Sequence, residues 1–155
     1  MKYKNISVFT IIALIFSSSI NGSEKKDSFA GSMVKWDKSR IKEYYIKVNY
    51  SSFSPISGLW ELRVKNGKII NCMFNGKPAE NCTETAGSFT MENLYKTAGR
   101  SSAADKNGPF IIEVTYGKNG FINSLSRIRN PEYKKTVQKD TTYRIEVLNF
   151  IPGGG

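Results

Sequence analysis

The sequence contains no histidine among its 155 residues and only two cysteines. A chain without histidine cannot form a Ser-His or Cys-His catalytic pair or a zinc site with a histidine ligand, and two cysteines cannot form a four-cysteine metal cluster. Prolines number only five, and 39% of the residues are apolar, which excludes collagen-like and disordered chains. We therefore predict no metal or other cofactor, and we expect no catalytic activity.

Acidic residues are few compared with basic ones. Asp and Glu number 13 against 23 Lys and Arg, so the formal charge is +10, in a chain with room for one domain. Such an excess is typical of a solvated surface, or of attraction to an anionic envelope surface or another envelope protein. The densest basic group is Lys134, Lys135 and Lys139, which we take as candidate contacts with an anionic surface. Nucleic acid is disfavoured because no RNA- or DNA-binding motif is present.

Only one long apolar run is present, at residues 6–16. Eleven residues are too few to cross about 30 Å of hydrocarbon as a helix. Lys2 and Lys4 precede the run and small polar residues follow it, which is the layout of a secretory signal peptide. We predict that residues 1–22 are this signal peptide, with Ser19 as the alternative cleavage position. The mature chain is then exported to the periplasm or secreted, has no transmembrane segment, and carries 21 basic and 13 acidic groups, or +8.

The two cysteines lie ten positions apart, at Cys72 and Cys82. An even number of thiols in an exported protein favours a disulfide. On the loop-entropy account, a ring of this size stabilises the fold by about 3 kcal/mol. Two free buried thiols are the alternative.

Hydrophobic periodicity predicts the order α-β-β-β-α-β-β-β. After a flexible segment at 23–31, apolar residues recur at helical spacing and then alternate, and Asn66-Gly67 is a strong signal for a hairpin turn. The predicted helices are 32–44 and 90–98, and the predicted strands are 45–50, 59–65, 68–74, 110–116, 121–128 and 142–150. This order indicates a single α+β domain at 32–150, an antiparallel sheet of five to six strands with two helices on one face, followed by a disordered tail at 151–155.

Several landmarks in this order resemble a known family. They are the helix that contains Trp36, the tyrosine-rich strand 44–48, the hairpin 62–69, the segments 89–95 and 114–117, and the closing strand 142–150. Together they are similar to the small exported bacterial family known as domain of unknown function 6174, over residues 34 to 150. Tyr95 stands where that family has phenylalanine, and the segment after Tyr116 is contracted. The resemblance implies a fold and an exported state but no activity.

Carboxylates offer an alternative function, because a pair of them can perform acid–base chemistry without histidine. A small hydrolase that uses carboxylate or lysine chemistry would need two acids converging in one pocket. Glu61, Glu113 and Glu146 instead alternate with apolar neighbours, so we expect them on the solvent-exposed face of the sheet. There they would form cross-strand ion pairs with Arg63, Arg127 or Arg144.

Trp36 and Trp60 are the two tryptophans. Their spacing beside apolar neighbours predicts that both lie in the core. An exposed carbohydrate-binding platform is the alternative.

Overall fold

The computed structural model describes residues 28–102, 107–137 and 139–153. The predicted signal peptide and most of the segment before the first helix lie outside this part. The helices are α1 (Phe29–Ser39), α2 (Cys82–Ala86) and α3 (Met91–Ser102), with one 3₁₀ turn at Gly87–Phe89 between the last two. The strands are β1 (Glu43–Ser52), β2 (Gly58–Lys65), β3 (Lys68–Phe74), β4 (Lys77–Pro78), β5 (Phe110–Tyr116), β6 (Ile122–Arg129) and β7 (Tyr143–Pro152).

All seven strands form one antiparallel sheet in the order β4-β3-β2-β1-β7-β6-β5. The first long strand, β1, lies at the centre and pairs with β2 and with the last strand, β7. The predicted α+β class is confirmed. The described chain has one more strand and one more helix than expected, because β4 and α2, with two and five residues, are too short to show a periodic pattern.

The core lies between the helices and one face of the sheet. Alternate residues of β1, namely Tyr44, Ile46 and Val48, are fully buried, and the side chains opposite them on β2 are buried as well. Helix α3 covers this face with Met91, Leu94, Tyr95 and Ala98, all buried. Helix α1 adds Trp36, whose ring meets Tyr44 and Phe150 edge to face at 6.0 and 5.8 Å.

The first helix differs from its predicted bounds at both ends. It begins at Phe29, because the side chain of Ser28 accepts a hydrogen bond from the Gly31 amide at 3.2 Å and caps it. It ends at Ser39, because the next residue, Arg40, adopts a left-handed conformation with φ 52°. Tyr44, predicted in the helix, belongs to β1, so the apolar spacing had joined residues of two consecutive elements.

The predicted disorder from residue 151 is wrong for its first two residues. Strand β7 continues through Ile151 and Pro152, which pair with Tyr45 and Tyr44. The Gly153 amide then donates to the Glu43 carbonyl at 2.8 Å. The C-terminal segment stays ordered this far because the central strand β1 offers it a backbone partner.

Two turns depend on glycine. Asn66 and Gly67 both have positive φ, at 50° and 70°, as the predicted two-residue hairpin requires. Gly120, at φ 78°, lies directly under α1, where a Cβ would collide with the Ser32 carbonyl and the Trp36 amide. The Tyr95 hydroxyl donates to the Gly120 carbonyl, so this turn joins α1 and α3 to the sheet.

Candidate functional site: the loop end of the sheet

Three loops meet at one end of the sheet, where β1 and β6 finish and β5 and β7 begin. The pairing register places Ser52 opposite Tyr143, Tyr143 opposite Arg127, and Arg129 opposite Phe110. The loops 53–57, 107–109 and 130–142 therefore emerge side by side. We call this region the loop end.

A cleft of about 470 Å³ lies at the loop end. It combines hydroxyl groups, two arginines, one carboxylate and the side chain of Phe53. Its lining residues are Ser51, Ser52, Phe53, Glu113, Ser126, Arg127, Ile128, Thr142, Tyr143 and Arg144. The arginines give it the chemistry to hold an anion, and Phe53 adds apolar surface at its rim.

Phe53 is the most exposed large apolar side chain in the described chain, with 92% of its surface accessible. Hydrogen bonds hold the base of the loop that carries it. The Ser57 hydroxyl donates to the Ser52 carbonyl at 2.6 Å and accepts from the Ser52 amide at 2.9 Å. The indole of the buried Trp60 donates to the Ile56 carbonyl at 2.9 Å. These bonds anchor the base of the loop to the core while Phe53 points into solvent.

The arginines of the cleft have different partners. The Arg127 guanidinium lies 4.4 Å from the centre of the Phe110 ring, a cation–π contact. Arg144 lies 3.6 Å from Glu146, its neighbour on the same strand face, and both side chains are well exposed. Exposed ion pairs of this kind contribute little to stability, so Arg144 is available to a competing anion.

The predicted basic group lies in the loop between β6 and β7. Lys134, Lys135 and Lys139 are all exposed. Lys134 and Lys135 line a second cleft, of about 700 Å³, next to Glu132. The structure thus places these lysines at the same end of the sheet as the arginines of the first cleft.

Asp140 is held at the start of the last strand. Its side chain accepts a hydrogen bond from the Thr142 amide at 2.9 Å. This bond, with help from the charge of Arg129, lowers the pKa of Asp140. Asp140 therefore stays ionised and offsets part of the positive charge of the loop.

The carboxylates considered for catalysis are separated. Glu61 accepts a hydrogen bond from the Tyr45 hydroxyl at 2.6 Å and lies 3.2 Å from Lys47, rather than pairing with Arg63. Glu146 contacts Arg144 along its own strand, not across it. Glu113 forms no ion pair in the described chain and is the single carboxylate of its cleft. The expected cross-strand pairs with arginine are therefore not formed at these three positions.

The contacts of Glu61 shift two pKa values. The hydrogen bond from Tyr45, followed by the one from Lys47, lowers the pKa of Glu61. Burial, followed by the bond to Glu61, raises the pKa of Tyr45 to about 12. These groups form a small ionic cluster on the uncovered face of the sheet, with the proton held on the tyrosine.

Tyr44 has a structural role on the covered face. Its fully buried hydroxyl donates to Glu92 at 2.7 Å and accepts from the Met91 amide at 2.9 Å. Burial, followed by the hydrogen bond to Glu92, raises the pKa of Tyr44 well above its usual range. The hydroxyl thus satisfies an amide at the start of α3 and ties that helix to β1.

The remaining predicted residues are placed as follows. Cys72 and Cys82 are joined in a disulfide, with Cα atoms 6.1 Å apart, which links β3 to α2. Trp36 and Trp60 are 8% and 2% exposed, so both lie in the core and neither forms a platform.

Phe53 was missed by the sequence reasoning. An aromatic residue inside a Ser/Pro loop, in the stretch 51–57, is the signal that points to it.

Two further properties concern the described residues alone. Within these residues no group of three or more Asp, Glu or Cys side chains is arranged to hold a metal ion. No helix among them is both long and apolar enough to span a bilayer.

No protein-family model, no curated protein and no solved structure matches this chain.

Proposed function

We propose that this protein is an exported, non-catalytic interaction module that binds an anionic partner of the cell envelope through the loop end. The resemblance to domain of unknown function 6174, which implies an exported state, is part of this proposal. The periplasm or the extracellular medium is the proposed location, because the chain begins with a predicted signal peptide and contains a disulfide.

The observation that carries the proposal is the clustering of cations at the loop end. Two arginines line one cleft at this end of the sheet, and two lysines line the other. Each of these clefts contains a single carboxylate, Glu113 or Glu132. A surface with this charge distribution attracts anions over about one Debye length, roughly 8 Å at physiological salt.

A histidine-free hydrolase is the competing hypothesis. It would need two carboxylates that converge on one substrate, with about 5 to 10 Å between them. Glu61 is bound to Tyr45 and Lys47, and Glu146 to Arg144, on the uncovered face. These contacts favour a structural role for both acids.

Expression of the full chain followed by cell fractionation tests the proposal. We expect the protein outside the cytoplasm, shortened at its N-terminus, and retaining an envelope component at low salt that high salt releases. Recovery of an unprocessed chain in the cytoplasm, with both thiols reduced, would refute the exported state.

A matched pair of charge variants then tests the loop end. Replacing Lys134, Lys135 and Lys139 by Gln removes three charges there, and replacing Lys38, Lys68 and Lys118 by Gln removes three exposed charges elsewhere. We expect only the first variant to lose the partner at lower salt than the parent. Equal losses in both would show that net charge alone is responsible, and would contradict a role for this loop.

A further inference from the structure

We propose that the anionic partner is a lipid bilayer, which the loop end contacts with Phe53 inserted among the headgroups and its cations paired with lipid phosphates. This inference rests on the proposed function and deepens it, by naming the partner and the residue that enters it. Phe53 and the exposed Arg144 line one cleft, so an apolar and a cationic side chain lie together at this end of the sheet.

Phe53 buries almost none of its side chain within the protein. Because 92% of its surface is exposed, its ring contributes almost nothing to the stability of the fold. Its loop is nevertheless anchored, by the paired bonds between Ser52 and Ser57 and by the Trp60 indole at Ile56. Little backbone entropy remains to be lost when this residue enters a partner, so the free energy of burying the ring goes largely into binding.

Cations outnumber carboxylates at the loop end. The strand ends and the loop 130–142 contribute six cations and four carboxylates among the described residues. The cations are Arg127, Arg129, Lys134, Lys135, Lys139 and Arg144, and the carboxylates are Glu113, Glu132, Asp140 and Glu146. Positive side chains that flank an apolar tip are complementary to a surface with phosphates outside and acyl chains beneath.

The cations do not converge on one point. Arg127 pairs with Tyr143 across the strands, so these two share one face of the sheet, whereas Arg144, next to Tyr143, lies on the other face. The lysines lie in the loop 130–142. A dispersed set of charges suits a continuous anionic plane, where each lysine or arginine finds its own phosphate. Phe53 lies at the same end of the sheet as these cations, so a bilayer that meets the sheet at this end contacts the edges of both faces.

Vesicle sedimentation tests this inference. The exported form of the full chain is mixed with vesicles of pure phosphatidylcholine or of equimolar phosphatidylcholine and phosphatidylglycerol. We expect binding to the anionic vesicles that weakens as the ionic strength rises to about 0.15 M. Equal binding to both compositions would overturn the proposal.

The Phe53 variant isolates the inserted residue. Phe53→Ser should weaken partitioning about fivefold to tenfold, because part of the ring leaves the apolar phase. Ile70→Ser is the matched control, since Ile70 is 54% exposed and lies on β3, away from the loop end. Equal partitioning of these two variants would overturn the insertion of Phe53. Neither variant should shift the melting temperature, because both side chains are exposed.

A fluorescent variant keeps the test independent of any loss of affinity. In Phe53→Trp the new indole joins two buried tryptophans, so a change of emission on mixing reports the tip alone. We expect a blue shift with anionic vesicles and none with neutral ones. An unshifted emission from vesicle-bound protein would show that the tip stays in water.

Failure of this inference is distinguishable from failure of the proposed function. A protein that is exported and retains a salt-sensitive envelope component, but binds neither vesicle type, would refute the lipid partner alone. Retention on an anionic polymer such as heparin that depends on Phe53, without vesicle binding, would likewise refute the bilayer. A protein that is not exported would refute the proposed function whatever the vesicles show.

Discussion

Replacing Trp60 by Ala is the most informative change to the core. Trp60 is 2% exposed, and its ring lies 4.5 Å from that of Phe74 and 5.9 Å from that of Phe89, measured between centroids. Truncation to Ala leaves a large cavity between the sheet and the 3₁₀ turn. It also removes the hydrogen bond to Ile56 that anchors the Phe53 loop.

The expected loss in the free energy of unfolding is about 3–5 kcal/mol, the range for an aromatic side chain truncated to Ala in a core. A domain of this size has a total stability of about 5–15 kcal/mol, so the variant should be folded but marginal. Trp60→Phe keeps most of the ring and loses mainly the hydrogen bond, so its cost should be about 1–2 kcal/mol. The difference between the two variants separates packing from hydrogen bonding.

Urea unfolding followed by far-ultraviolet circular dichroism measures these values without relying on tryptophan fluorescence. Leu148→Ala is the control, because Leu148 is 52% exposed, and it should change stability by no more than about 0.5 kcal/mol. If the free energy of unfolding of Trp60→Ala stayed within about 1 kcal/mol of the parent value, Trp60 would not be a core residue. The alternative of an exposed carbohydrate-binding platform would then be favoured.

The other predictions concern the disulfide, the ionic cluster and the turn under α1. Intact mass spectrometry should show no alkylation of Cys72 or Cys82 before reduction, and two thiols alkylated without reductant would contradict the disulfide. Replacing both cysteines by Ser should lower the free energy of unfolding by about 3 kcal/mol. Folding lowers the pKa of Glu61 from 4.5, so the ionised Glu61 stabilises the fold above that pH, and this stabilisation is lost as the pH falls through the folded pKa. Glu61→Gln should therefore reduce the loss of unfolding free energy at acid pH, measured by urea titration. Folding raises the pKa of Tyr45 from 10.0 to about 12, so the protonated Tyr45 stabilises the fold fully below pH 10, and this stabilisation is lost as the pH rises through about 12. Tyr45→Phe should therefore reduce the loss of unfolding free energy at alkaline pH. An unchanged pH profile would refute the hydrogen bond from Tyr45 to Glu61. Gly120→Ala combines a positive φ with a collision against α1, and thermal melting should show a loss of about 3 kcal/mol; an unchanged melting temperature would mean that α1 does not rest on this turn.

Local patterns in the sequence determined the long elements. Alternation in 59–65 predicted β2 almost to its bounds, and Asn66-Gly67 predicted the turn after it, because each signal depends only on neighbouring residues. Asn75-Gly76, with φ 49° and 77°, is a second signal of the same kind, and it marks the hairpin from β3 to β4 that the strand prediction omitted. The disulfide and the burial of both tryptophans also followed from the sequence.

Long-range contacts decided the rest. The end of β7 depends on a partner distant in sequence, since Pro152 and Ile151 stay paired only because β1 lies at the centre of the sheet. The partners of Glu61 and Glu146 depend on register and side-chain reach, which a pattern of charges does not specify. Lysines in the late loop were visible in the sequence, but their position at the same end of the sheet as Arg127, Arg144 and the exposed Phe53 was not. Three loops converge there because antiparallel pairing brings together strand ends that lie far apart in the chain, and only the folded sheet contains that information.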